Sequence, residues 1–84
     1  MDTLAKKVKS LLEEGFPPPD VVELEDNDGL LGIVVSKRFK NLDSMDRVNL
    51  MWKYLEKELT AKEARQVVLL IGMTPREKLL HSST

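Results

Sequence analysis

Cysteine is absent from all 84 residues. Disulfides, thiolate catalysis and cysteine ligation of zinc or of an iron–sulfur cluster by this chain alone are thereby excluded. Histidine occurs once, as His81, directly before the polar run Ser82-Ser83-Thr84. A serine–histidine–aspartate set has no other base to use, and a solvated side chain is the reading for this one. Phosphate-cradling P-loops and dinucleotide fingerprints are missing too. Together these gaps predict a protein that is not an enzyme.

Charge of one sign is also missing. Thirteen basic and fourteen acidic residues leave a formal net charge of −1. Nucleic-acid binders draw much of their affinity from phosphate neutralisation and usually carry a strong positive excess. Only a local basic face could serve that purpose here. Apolar runs long enough to span a bilayer are lacking, which predicts no membrane insertion. The start, Met1-Asp2-Thr3-Leu4, lacks the basic stretch and apolar run of a secretory leader, so the expected location is cytoplasmic.

What is present is ordinary for a globular domain: 42% hydrophobic and 32% charged residues. The reading is one domain over residues 1–84. Leu4, Val8, Leu11 and Leu12 form one helical stripe across residues 3–15, capped by Asp2 or Thr3. Gly15 is read as a left-handed C-cap, before Pro17-Pro18-Pro19 forbids continuation. Phe16 is expected to fold back onto the stripe.

Residues 20–26 alternate as a strand, with Val22 and Leu24 on one face. Asn27-Asp28-Gly29 then signals a hairpin turn, because such turns need positive φ. Leu30–Val35 reads as a central, covered strand in which Gly32 marks a bulge. Phe39 is a core anchor inside a basic connector, Ser36–Leu42. Asp43 or Ser44 caps the longest helix, over about 44–59, with Val48, Met51, Trp52, Leu55 and Leu59 inward and Met45 and Met51 as core or near-core fillers. Thr60 caps a short helix over 60–65. Val67–Ile71 reads as a buried third strand. Thr74-Pro75-Arg76-Glu77 opens a last helix, with Thr as N-cap and Glu at the third position. The fold class is α+β in the order α-β-β-α-α-β-α, a three-stranded mixed sheet packed against helices. The third strand runs parallel to the strand it joins.

Two acidic or glycine features invite chemistry and are set aside. Glu23, Glu25, Asp26 and Asp28 match no calcium-loop spacing, so they read as a solvated hairpin face. Gly29-Leu30-Leu31-Gly32 is formally a GxxG, but it enters a strand beside two aspartates, which would repel phosphate. The basic residues Lys37, Arg38 and Lys40 are better candidates, since they occupy an irregular connector, where recognition often sits.

The run Val35-Ser36-Lys37-Arg38-Phe39-Lys40-Asn41-Leu42-Asp43, followed by Arg47 and Leu50, resembles the BolA family. That family shows a VS-x-x-F-x-G-x-S run and then an arginine entering a long helix. Asn41 stands where the glycine is usual, and Asp43 where serine is usual while keeping the capping ability. Thr74-Pro75-Arg76-Glu77 is similar to the family's TP-x-E after the third strand. The structural motif is thus Phe39, Asp43, Arg47, Thr74, Pro75 and Glu77. The resemblance covers residues 3–80 and implies a BolA-like fold, related to the second type of KH fold.

It also implies a non-enzymatic interaction or regulatory protein whose partner is a monothiol glutaredoxin, in iron–sulfur and redox regulation. DNA or RNA binding is the alternative. The contact residues so implied are Lys37, Arg38, Lys40, Arg65, Gln66, Arg76 and Lys78, read as one docking face. The family histidine that can ligate a cluster falls at Gln66, and the turn that can carry a second ligand is Asn27-Asp28-Gly29. Neither supplies imidazole or thiolate, so cluster ligation is not carried over to this chain. No metal or cofactor is expected on it alone.

Overall fold

The computed structural model describes residues 2–82, with side chains over residues 4–80. The caps expected at Asp2 or Thr3 and the side chain of His81 lie outside the described residues. The elements run α1 (Asp2–Gly15), β1 (Val21–Asp26), β2 (Leu30–Val35), a short 3-10 helix (Lys37–Phe39), α2 (Ser44–Leu55), α3 (Ala61–Ala64), β3 (Val67–Met73) and α4 (Pro75–Ser82). The order is the expected α-β-β-α-α-β-α. One mixed sheet holds β2 in the centre, antiparallel to β1 and parallel to β3.

Local chemistry explains most boundaries. The hairpin closes with Asp28 at φ 57° and Gly29 at φ 122°, the positive values its turn demands. Asp43 caps α2 by accepting from the Asp46 N–H at 2.8 Å. Thr60 and Glu63 form a reciprocal capping box on α3. α2 ends at Leu55 rather than near 59, so the 14-residue α1 is the longest helix. The Glu58 and Leu59 N–H groups both donate to the Leu55 carbonyl, which tightens the chain into a turn and brings Leu59 back against the core.

α1 and α2 cover one face of the sheet. Between them and the strands lie Val8, Leu12, Phe16, Val34, Phe39, Met51 and Leu55, all fully buried. Phe16 folds back as expected, stacking 5.2 Å from Phe39 and edge-on to Tyr54 at 5.6 Å. α4 crosses the other face, where Lys78 Nζ reaches to 4.0 Å from Glu23 Oε1 on β1.

Four local expectations are corrected. Gly15 does not adopt positive φ. It is glycine because a Cβ there would lie 2.5 Å from the Tyr54 ring, so α1 and α2 could not meet. Gly32 sits in regular register with Leu24 on one side and Leu70 on the other. The irregularity lies instead where Leu30 pairs with Val67 and Leu31 with Leu69, which skips Val68 and turns both Val67 and Leu70 inward. β3 is consequently no buried strand: it is an edge, with Val68 68% and Leu69 51% exposed. Met45 is exposed rather than a core filler.

Candidate functional site

The site is built from the C-terminal ends of the two parallel strands. After β2, the Ser36 N–H donates to the Met73 carbonyl at 2.8 Å, which joins the connector to the end of β3. Ser36 is itself buried, and its hydroxyl accepts from the Arg38 N–H, starting the 3-10 helix. That helix drops Phe39 into the core and leaves Lys37 and Lys40 exposed. Asn41 then takes φ 68°, a left-handed turn that sends the chain toward α2.

Arg47 fixes the opposite wall. Its guanidinium donates to the Leu42 carbonyl at 2.8 Å, to the Gly72 carbonyl at 3.1 Å, and in bidentate fashion to Glu77 at 2.6 and 3.2 Å. One side chain thereby ties the connector, β3 and α4 together. Gly72 is required beneath it, since a Cβ there would lie 2.9 Å from the Phe39 ring and 3.2 Å from Arg47 Cβ.

Thr74 and Glu77 form a capping box: the Glu77 N–H donates to Thr74 Oγ1 at 3.2 Å, and the Thr74 N–H donates to Glu77 Oε1 at 2.9 Å. The Arg47 guanidinium, and next the Thr74 N–H, hold the Glu77 carboxyl well below its usual 4.5, at about 2. Glu77 therefore answers both Arg47 and the positive end of α4.

With that acid engaged, Lys37, Lys40, Thr74, Pro75 and Arg76 surround a cleft of about 400 Å³. Three cations from segments thirty-six residues apart converge here, with aliphatic stems and the Pro75 ring as walls.

The remaining contact residues lie elsewhere, so the single docking face divides. Arg38 turns inward. It donates to the Gly15 carbonyl and to Tyr54 Oη at 2.9 Å, with its guanidinium 4.8 Å from the Phe16 ring centre. Its work is to stitch the connector to α1 and α2. Lys78 reaches across the sheet toward Glu23.

Arg65 and Gln66 sit at the other end of β3, beside Asp26, Asp28 and Gly29 of the hairpin turn. The Gln66 carbonyl accepts from the Leu30 N–H there. Leu30 and Val35 bound β2, so the two ends are roughly 17 Å apart at about 3.3 Å per residue. Gln66 is exposed. The side chains around it offer carboxylate and amide oxygens, and Arg65 adds a cation.

Sequence reasoning missed two contributors, Ser36 and Tyr54. Ser36 carried a signal, since a serine just before a short helical turn is a natural cap. Tyr54 carried none, because its partners lie on other elements.

The GxxG splits between the turn and β2, as read. Among the described residues no group of three or more His, Asp or Glu side chains gathers as metal ligands would. Among them, too, no helix is long and apolar enough to cross a membrane. No protein-family profile matches the chain, and no curated protein matches it significantly.

Proposed function

We propose that this chain is a non-enzymatic, BolA-like interaction protein that docks an acidic partner surface through the Lys37–Lys40–Arg76 cleft. The observation that carries this reading is the convergence itself. Three exposed cations meet at one cleft, and Glu77, in the same helical turn as Arg76, is paired with Arg47. Among the described residues no acid lines the cleft to compete with an incoming carboxylate.

The family resemblance supplies the partner class, a monothiol-glutaredoxin-like protein. It gains support from Asn41, whose φ of 68° falls where the family has glycine. Asparagine is among the side chains best suited to that region. Iron–sulfur ligation is not part of the proposal. Around Gln66 the donors are oxygens, and cluster iron is held by thiolate or imidazole.

The test is a titration of isotope-labelled protein with a cluster-loaded monothiol glutaredoxin. Amides of Lys37, Lys40, Thr74 and Arg76 should shift, and a Lys37→Glu/Arg76→Glu variant should bind about tenfold more weakly. No shift at millimolar partner rejects the glutaredoxin. Undiminished binding by the double variant rejects the cleft. Capture of an oligonucleotide at low salt, lost in the same variant, would replace the protein partner with nucleic acid.

A further inference from the structure

The cations of this molecule are answered unevenly. Lys7 meets Glu63, Arg47 meets Glu77, and Lys78 approaches Glu23. Arg38 is turned onto Gly15 and Tyr54. Arg65 bonds the Ala61 carbonyl and lies beside Asp26 and Asp28. The cleft beyond β3 differs: it gathers Lys37, Lys40 and Arg76 and no acid. Among the described residues none of these three has an ion-pair partner. Like charges around one cavity repel, and an anion seated among them removes that cost.

Helix polarity is not the source of the attraction. Pro75 has no N–H, and the Thr74, Glu77 and Lys78 N–H groups are bonded within the cap. Side chains must hold the anion, and their roots are fixed. Phe39 is buried between Lys37 and Lys40, and the Ser36 N–H ties their connector to Met73. The Arg47–Glu77 pair holds the turn that carries Arg76. A backbone ordered in advance lowers the entropy lost on binding.

Size and walls narrow the ligand. About 400 Å³ lies within the range of small-molecule sites. Pro75 and the lysine stems supply apolar wall, and the three head groups supply charge. A carboxylate carries one charge on two oxygens and leaves two of the cations unanswered. A phosphate monoester carries close to two charges at neutral pH on three acceptor oxygens, which suits a forked guanidinium and two ammonium groups.

We infer that the cleft binds a small organic phosphate monoester, with the phosphate among Lys37, Lys40 and Arg76 and the organic group against Pro75. The seat is the docking face proposed above. Resting on that reading, the inference adds its regulation: a bound phosphate ester displaces the acidic partner.

The probe is phenyl phosphate, titrated into the isotope-labelled full chain at neutral pH and constant ionic strength. Benzoate, methyl phenyl phosphate and inorganic phosphate are titrated beside it; they lack in turn the phosphate, its second charge and the ring. Amides of Lys37, Lys40 and Arg76 should shift, and those of Arg65 and Gln66, at the other end of β3, should not. Phenyl phosphate should bind about tenfold more tightly than each of the other three. Lys37→Gln/Lys40→Gln, which alters exposed side chains only, should weaken it about tenfold.

Equal affinity for benzoate or for the diester would overturn the monoester. Equal affinity for inorganic phosphate would overturn the organic group. Shifts that extend to Arg65, or that persist undiminished in the variant, would mean general screening of surface charge and overturn the site, as would no shift at about 10 mM probe. Regulation is read separately. Saturating phenyl phosphate should release bound monothiol glutaredoxin, and a glutaredoxin that stays bound would overturn the shared seat. A glutaredoxin that never binds would reject the docking reading and the regulation built on it, while the phenyl phosphate shifts still decide the site.

Discussion

The chain writes the same four-residue device twice, Thr60–Glu63 and Thr74–Glu77, and the two copies end in different surroundings. Both are reciprocal capping boxes with bonds of 2.9–3.2 Å. At the first, Glu63 meets Lys7 at 3.1 Å, with both side chains about one-third exposed. At the second, Glu77 is gripped by both terminal nitrogens of an Arg47 that is only 14% exposed. The Glu63 carboxyl is lowered mainly by the Thr60 N–H and then by Lys7. For Glu77 the arginine comes first. Identical local grammar thus makes an independent cap in one place and a tertiary junction in the other.

Removing Arg47 should break this contrast most strongly. Arg47→Ala strips the bonds to Leu42 and Gly72 as well as the ion pair, and charge-assisted bonds of this kind contribute about 1.5–3 kcal/mol each before relaxation. A loss of about 3 kcal/mol in chemical denaturation is expected, and a loss below 1 would dissolve the junction.

The next largest effect belongs to the caps themselves. Thr74→Ala should cost about 1 kcal/mol and Thr60→Ala about half of that, because the first also misplaces Glu77 against Arg47. Equal costs would show the two boxes to be alike after all.

Acid titration sharpens the comparison further. Glu77 has its folded-state value depressed to about 2 from 4.5. Its contribution is therefore complete above pH 4.5 and is lost as pH falls toward 2. The stability gap between wild type and Glu77→Gln should close across that window. Glu63→Gln should show the same sign with a smaller gap. The smallest effect is Lys7→Ala: an exposed pair of this sort contributes about 0–0.5 kcal/mol, so its melting curve should nearly overlay the wild type.

Much of the fold was readable because its signals are local. Asp28-Gly29 announced positive φ, Asp43 and both threonines announced helix starts, and the apolar stripe of α1 announced its buried face. The misreadings share a physical cause. Gly15 looked like a C-cap because glycine usually is one there, yet its reason is a tyrosine thirty-nine positions later. β3 looked buried because its residues are apolar, and apolar composition does not reveal which strand ends up outermost. The cations suffered the same ambiguity. Lys37, Arg38 and Lys40 are neighbours in sequence, but the 3-10 turn points Arg38 at Phe16 and Tyr54 while its neighbours face the cleft. Nothing in residues 36–42 alone distinguishes them.

Arg47 has one further consequence, for motion. It grips segments thirty residues apart, so the first turn of α4 cannot lift without exposing the cation's half-buried seat beside Phe39. Opening there must be concerted with the start of α2. The last turn of the same helix presents Leu79 and Leu80 to solvent. The root of this eight-residue helix is thus held in place by the junction, and that root is the part that borders the cleft.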